Sequence, residues 1–231
     1  MTQETSISAN PFYRAYERQG QGTVLKKKHI RQFRKDFVDA SGFRTEMSVL
    51  ELGCGNGLFL RFLESIGVAN FWAVDGDARV LAEIPASLAD KVTISDFESF
   101  IDGLSPETFI DRIVLFDVLE HFSTEGAVDL LSKLRTLLSD DGKIVLRVPN
   151  MGSPLALGMQ YNDLTHLSAF SAGSLSQVGR VAGFSDTRFF PQAYSSRGKE
   201  IRERLLTRFV SAFLSAPPMI WSPALIAVFT K

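Results

Sequence analysis

The chain has 231 residues, of which 45% are hydrophobic, enough for one large domain with a buried core but tight for two. This content argues against intrinsic disorder, and the net charge of −1 gives no bulk electrostatic reason to expect a nucleic-acid partner. The single cysteine, Cys54, forms no internal disulfide, and the polar N-terminus lacks the basic start and apolar core of a signal peptide. We therefore expect one cytoplasmic domain over 1–231.

Residues 1–45 are predicted to form an N-terminal helical lid. Aromatic residues cluster near its start, and they either cover a ligand or pack on the domain: Phe12, Tyr13 and Tyr16. Between residues 24 and 40, apolar side chains recur at helical spacing. The opposite face is basic: Lys26, Lys27, Lys28, Arg31, Arg34 and Lys35. We interpret this basic face as solvated, and a cradle for an anionic acceptor is the alternative.

Apolar strands and helices then alternate along the chain. Strands are predicted at residues 47–52, 71–74, 91–95, 112–117 and 143–148, with helices at 58–66, 78–84 and 124–138 and a turn at 140–142. This order indicates an α/β fold in which right-handed crossovers cover both faces of a doubly wound, parallel sheet.

The C-terminal third is predicted to contain an irregular stretch at 150–170, helices at 171–182 and 196–215, and strands at 184–190 and 223–231. No charged residue occurs between positions 209 and 230, but three prolines interrupt that stretch. A membrane-spanning helix is therefore not expected there, and we predict a buried turn followed by a core strand.

A glycine-rich turn follows the first strand, at residues 49–60. Three glycines at alternate positions let the backbone bend sharply and let a ligand approach it closely. Leu58 stands where a dinucleotide-binding loop has its last glycine, and the lysine of a P-loop is missing. A cationic nucleoside cofactor therefore suits a loop that is led by Glu51.

Polar residues follow the ends of four strands: Asn56, Asp75, Asp96 and Asp117. Ligands of open α/β sheets bind beyond the carboxyl ends of the strands. We therefore expect these four side chains to surround one ligand.

Residues 51–57, Glu-Leu-Gly-Cys-Gly-Asn-Gly, resemble the first motif of class I S-adenosylmethionine-dependent methyltransferases. The resemblance implies a Rossmann-like sheet of about seven strands, mostly parallel with an antiparallel last strand. It implies a cofactor-binding core at 47–150 and an acceptor side at 151–231. The first-motif residues that it assigns to the cofactor, S-adenosylmethionine, are Glu51, Gly53, Cys54, Gly55, Asn56 and Gly57.

The same resemblance assigns roles to the later strand ends. It places Asp75, with Gly76, against the ribose hydroxyls, for which a carboxylate is a suitable acceptor. The resemblance assigns the adenine contact to Asp96 and Phe97. Residues 117–121, Asp-Val-Leu-Glu-His, match the fourth motif, in which Asp117 and Val118 face the cofactor.

Candidate catalytic residues follow the fourth and fifth strands: Glu120, His121 and His166. Histidine titrates in the range that suits a base for a hydroxyl acceptor. Asp-x-x-Glu-His is also similar to the metal-binding cluster of ubiquinone-type O-methyltransferases and RNA 3′-end methyltransferases, and His166 would complete such a site. Relatives without a metal share this run, so metal use stays open.

The acceptor is indicated by resemblance alone. Residues 161–166, Tyr-Asn-Asp-Leu-Thr-His, resemble a stretch found in methyltransferases of bacterial glycan and polysaccharide pathways. Those enzymes act on sugar hydroxyls. Alternatives are a phenolic or quinone-like acceptor, an RNA acceptor bound by the basic helix, and cofactor binding without catalysis. The helix at 196–215 is expected to pack on the domain; shaping the acceptor pocket, dimerising or making a peripheral membrane contact are its alternatives.

Overall fold

The computed structural model describes Phe12 and residues 24–231, and these residues form a seven-stranded sheet in the order β3-β2-β1-β4-β5-β7-β6. Strands β1 to β5 are parallel, whereas β7 runs antiparallel to both of its neighbours. The predicted doubly wound sheet with an antiparallel last strand is confirmed. The strands are β1 Val49–Leu52, β2 Phe71–Asp75, β3 Val92–Ile94, β4 Ile110–Phe116, β5 Leu138–Pro149, β6 Asp186–Pro191 and β7 Ala224–Thr230.

Helices cover both faces of the sheet. Those in the described residues are α1 Lys27–Phe33, α2 Leu58–Ser65, α3 Phe97–Asp102, α4 Thr124–Thr136, α5 Leu157–Tyr161, α6 Ala172–Val181 and α7 Arg197–Ser211. A π-helical turn, Arg34–Asp39, continues α1, and 3₁₀ turns occupy Ala78–Ala82, Ala86–Lys91, Leu119–His121 and Pro154–Ala156. Across residues 24–231, no helix combines the length and the apolar character needed to cross a membrane.

The central strands are buried on both faces, which explains their continuous apolar sequence. One face is filled by a cluster of phenylalanines that joins α1 to α2. The ring of Phe59 lies 5.2 Å from that of Phe33 and 5.0 Å from that of Phe37, both in edge-on contact. The N-terminal helix is therefore anchored beside the glycine-rich turn, since Phe59 is in the first turn of α2.

Several predicted boundaries were wrong. Residues 150–170 are not irregular throughout, because they contain α5 and a 3₁₀ turn, and residues 78–84 begin as a 3₁₀ turn. The predicted turn at 140–142 lies inside β5, where the register with β4 shifts and absorbs the polar residues. Helix α3 was missed, since six residues are too few for a helical period.

The predicted buried turn after residue 209 is also wrong. Phe209, Phe213 and Met219 are 66%, 75% and 89% exposed, so these three side chains face solvent, whereas Ile220 is partly buried against the core. The basic face of α1 is largely solvent-exposed, as predicted. Tyr13, Tyr16 and the rest of residues 1–11 and 13–23 of the predicted lid lie outside the described residues.

Candidate functional site

The glycine-rich turn between β1 and α2 depends on left-handed backbone at three positions. Gly53, Gly55 and Gly57 have φ values of 75°, 52° and 70°. A Cβ atom on Gly53 would lie 2.5 Å from Cγ2 of Val118, whereas one on Gly55 would meet nothing within 4 Å. The loop is therefore closed against the fourth-motif segment at Gly53 and open at Gly55.

Asp75, at the end of β2, fixes the open part of this loop. Its Oδ2 accepts a hydrogen bond of 2.9 Å from the amide of Gly55, and its Oδ1 accepts one of 2.9 Å from the amide of Asp77, beyond Gly76. The carboxylate is 5% exposed, so these bonds set its orientation. The structure thus places Asp75 at the glycine-rich turn, as the sequence predicted.

The other residues of the turn have structural contacts. Oδ1 of Asn56 accepts a hydrogen bond of 3.2 Å from the amide of Leu58, at the start of α2. Cys54 is buried in the hydrophobic cluster beneath the loop. These contacts hold the turn in shape.

Glu51 is the unusual residue of β1. It is 3% exposed, and its Oε2 has no hydrogen-bond partner among the described residues. Burial raises the pKa of Glu51 well above its usual range, and the charge of Asp75 raises it further, against the opposing effect of Arg147. A buried, unsatisfied acidic group beside an open loop is complementary to a ligand that carries positive charge or donors.

The predicted adenine contacts have different positions. Asp96 is exposed and caps α3, because its Oδ1 accepts a hydrogen bond of 2.8 Å from the amide of Ser99. Phe97 is buried, and its ring lies 3.9 Å from the position of a Cβ atom on Gly53. Phe97 therefore lines the turn at Gly53, whereas Asp96 is a solvent-exposed helix cap.

Asp117, after β4, is held by a residue that the sequence analysis missed. Asp117 has φ 59°, and both of its carboxylate oxygens accept hydrogen bonds from the guanidinium of Arg147 on β5. Burial lowers the pKa of Arg147, but nearby Asp117, Asp36 and Glu120 outweigh it and raise the pKa overall. The available signal was an arginine within the apolar run of β5.

Glu120, His121 and His166 come together beside Asp117. The two imidazole rings lie 4.8 Å apart, and Nε2 of His166 is 4.0 Å from Oε1 of Glu120 and 3.7 Å from Oδ2 of Asp163. Glu120 is 1% exposed, and its main-chain carbonyl accepts a hydrogen bond of 2.8 Å from the amide of Leu167. This bond ties the fourth-motif segment to the loop that carries His166.

The hydrogen bonds of the two histidines define their neutral tautomers. Nδ1 of His166 lies 3.0 Å from the carbonyl oxygen of Gln160, which can only accept, so Nδ1 carries the proton. Nδ1 of His121 lies 2.9 Å from Oγ1 of Thr165, whose own proton is donated to Asp163. Both rings therefore present an Nε2 lone pair in their neutral form.

This trio has the donor set of a metal site. One ligand atom from each of Glu120, His121 and His166 lies within 4.8 Å of the others. Oε2 of Glu120 is buried with no hydrogen-bond partner in the described part of the chain. Burial and the charge of Asp117 raise the pKa of Glu120 well above its usual range, and burial and His166 lower the pKa of His121. Two neutral imidazoles and a carboxylate would suit a divalent cation.

Comparison with known proteins identifies the family. Residues 23–188 match the model of a methyltransferase domain. The chain belongs to this methyltransferase family. The predicted membership of the class I S-adenosylmethionine-dependent methyltransferases is therefore confirmed. No curated protein matches the chain in sequence.

Solved structures of methyltransferases share the fold. A S-adenosylmethionine-dependent methyltransferase from Archaeoglobus fulgidus is 20% identical with a TM-score of 0.68, over 89% of this chain and 95% of that one. A putative O-methyltransferase from Nostoc punctiforme is 18% identical with a TM-score of 0.59, over 87% and 55%. The plantazolicin methyltransferase BpumL, solved with a monoazolic desmethylPZN analog and SAH, is 18% identical with a TM-score of 0.57, over 89% of this chain and 85% of that one. These similarities show that this methyltransferase shares the fold of the three solved structures.

Proposed function

We propose that this methyltransferase acts on oxygen and that its preferred acceptor is a sugar hydroxyl of a glycan. The observation that carries the proposal is the trio of buried Glu120 and half-buried His121 and His166, which presents basic lone pairs beside the fourth-motif residue Asp117. A hydroxyl acceptor must lose a proton during methyl transfer, and a neutral imidazole is a suitable base.

The glycine-rich turn fits the cofactor of the family. The open space at Gly55 leaves room for a ligand against the backbone, and the unpaired Oε2 of Glu51 would receive hydrogen bonds or positive charge from it. S-adenosylmethionine supplies an activated methyl group on a sulfonium. Asp75 and Gly76 would orient its ribose, and Phe97, Asp96 and Val118 would border its adenine.

The acceptor side supplies the base. His166 would take the hydroxyl proton on Nε2, because its Nδ1 proton is held by the carbonyl of Gln160. Glu120 and Asp163, at 4.0 and 3.7 Å, would stabilise the imidazolium that forms. His121, whose pKa is lowered by burial, would remain neutral and orient the acceptor. Proximity and alignment then supply most of the rate enhancement.

The test is transfer of a labelled methyl group from S-adenosylmethionine to a panel of sugar nucleotides, oligosaccharides, catechols and RNA. We expect labelling of a sugar, and loss of at least about a hundredfold in rate for His166→Ala with unchanged cofactor affinity. His29→Ala is the matched control, since His29 lies in α1, away from the trio. Full activity of His166→Ala would exclude His166 as the base.

A metal-assisted O-methyltransferase of a phenolic or quinone-like acceptor is the second candidate, favoured by the compact donor set of the trio. The same three side chains would hold the ion, and its charge would lower the pKa of an acceptor hydroxyl. Inactivation by a chelator and recovery with Mg²⁺ or Mn²⁺ would select this candidate. Cofactor binding without turnover on any acceptor would instead indicate a non-catalytic binding protein.

A further inference from the structure

Helix α7 presents its apolar face to solvent. Ile201, Leu205 and Phe209 follow one another at four-residue spacing and are 59%, 65% and 66% exposed, and Phe213, in the turn directly after the helix, continues the spacing and is 75% exposed. Residues at this spacing lie on one side of a helix. The rings of Phe209 and Phe213 contact each other at 5.0 Å, so the stripe is continuous.

The inward side of α7 is polar. Oε2 of Glu200 accepts a hydrogen bond of 2.6 Å from Arg31 of α1, and the Glu200 side chain is only 14% exposed. Farther along, Oγ of Ser211 accepts a hydrogen bond of 3.1 Å from the indole of Trp221. The orientation of α7 is therefore opposite to that of an ordinary surface helix, which buries its apolar side.

Basic side chains border this apolar stripe. Helix α7 has five basic residues and two acidic residues, although the whole chain has a net charge of −1. A groove of about 650 Å³ between α1 and α7 is lined by six basic residues, Lys27, Arg31, Arg34, Lys35, Arg197 and Arg204, against the acidic Asp39 and Glu200. Glu200 is already paired with Arg31, Lys35 and Arg204, so the groove retains positive charge.

We propose that α7 docks this methyltransferase on an anionic membrane surface, with the stripe Ile201, Leu205, Phe209 and Phe213 inserted among the lipids and the α1–α7 groove over anionic headgroups. An exposed apolar stripe beside Lys and Arg is the pattern of a helix that lies in a membrane interface. This inference does not depend on the identity of the methyl acceptor.

Other occupants match the surface less well. A second copy of the chain would bring two sets of basic residues together, and like charges repel. Residues 1–23 have two acidic and two basic residues, so they offer no net negative charge to match the groove. Charge complementarity therefore selects the anionic lipid surface.

Flotation of the full chain with vesicles tests the proposal. We expect at least about tenfold stronger binding to phosphatidylcholine vesicles that contain phosphatidylglycerol than to phosphatidylcholine alone, and weaker binding at high salt. Leu205→Glu with Phe209→Glu should abolish binding. Val181→Glu is the matched control, because Val181 is an apolar residue of α6 that is 71% exposed. Arg34→Glu with Arg197→Glu should remove the preference for anionic vesicles.

A second readout separates docking from misfolding. Phe209→Trp should show a blue shift of its fluorescence when anionic vesicles are added, and every variant should keep the affinity of the wild type for SAH. Absence of vesicle binding, equal binding to both vesicle types, or full binding by the double glutamate variant would overturn the proposal. A wild-type dimer that the double variant dissociates, without vesicle binding, would assign the stripe to a second copy and also overturn it.

Discussion

The guanidinium of Arg147, on β5, forms a two-pronged ion pair with the carboxylate of Asp117, the residue after β4. Phe116 and Arg147 are partners in the β4–β5 register, so sheet pairing itself brings the two groups together. Arg147 also lies 4.9 Å over the ring of Phe116. This pair holds Asp117 in left-handed backbone beside the glycine-rich turn.

Replacing Arg147 by methionine should destabilise the protein. The change removes the charge-assisted bonds of Asp117 and the cation that faces buried Asp36 and Glu120. We expect a loss of about 1.5–3 kcal/mol in the free energy of unfolding, measured in urea. Arg188→Met is the control, because the exposed Arg188 only covers the ring of Phe190. Equal losses for both variants would contradict the role of the ion pair.

Alanine at three of the left-handed glycines separates folding from binding: Gly53 and Gly55 of the glycine-rich turn, and Gly42 (φ 65°), which lies outside it. Gly42→Ala and Gly55→Ala each incur about 1–2 kcal/mol of backbone strain, since a Cβ atom meets nothing at either position. Only Gly55→Ala should lose SAH affinity in calorimetry, because its Cβ points into the open turn. Gly53→Ala should unfold at a lower temperature than either, since its Cβ clashes with Val118. Unchanged SAH affinity of Gly55→Ala would refute this location of the cofactor.

Asp36 should make stability depend on pH. Burial raises its pKa to about 6, against the opposing hydrogen bond from the amide of Ala193 and the charge of Arg147. The folded state therefore binds a proton more tightly than the unfolded state, so the stabilisation is complete below the unfolded value and is lost as pH rises through about 6. The loss amounts to about 3 kcal/mol of the free energy of unfolding, because the pKa of Asp36 rises from 3.8 to about 6.

Asp36→Asn should remove this pH dependence. The amide oxygen can keep the hydrogen bond from Ala193, and no charge is buried at high pH. Urea titrations between pH 4 and 8 should show a smaller slope for Asp36→Asn than for the wild type. Asp39→Asn, at an exposed position one turn away, should leave the wild-type slope intact. If Asp36→Asn kept the wild-type dependence of the unfolding free energy on pH, the assignment of that dependence to Asp36 would be contradicted.

Glu120→Gln should raise stability and abolish methyl transfer. The substitution removes a buried carboxylate that burial and Asp117 disfavour, so we expect a gain of about 1–3 kcal/mol in urea at neutral pH without added ions. It also removes the only carboxylate of the trio, so any stabilisation of the wild type by Mn²⁺ should disappear. The exposed Glu98→Gln is the control. A destabilised but active Glu120→Gln variant would argue against a functional trio.

The local features of the core were predictable from sequence. Strand and helix periods, the Gly-x-Gly-x-Gly spacing and the acidic residues at strand ends are short-range patterns, and each belongs to one turn or one strand. Asp75 and the three glycines therefore lie where the sequence predicted. Asp96 caps α3, and a helix cap and a ligand contact place the same residue type at a strand end, so its adenine contact stays a prediction.

The partner of Arg147 and the orientation of α7 were decided by tertiary structure. An arginine in a strand gives no sign of its partner, and pairing of β4 with β5 brings it to Asp117, 30 residues away in sequence. The trio likewise depends on a loop that brings His166 back to His121, 45 residues away in sequence.

The sequence by itself determined the doubly wound sheet and the glycine-rich turn, because hydrophobic periodicity and glycine backbone freedom act over a few residues. The amphipathic period of α7 was also in the sequence. A helical period shows that apolar residues share one side of the helix, but it does not show whether that side faces the core or solvent. Only the tertiary structure decided that direction, since the ion pairs of Glu200 with α1 turn the polar side inward. The apolar side, with Leu205 and Phe209, is left to solvent.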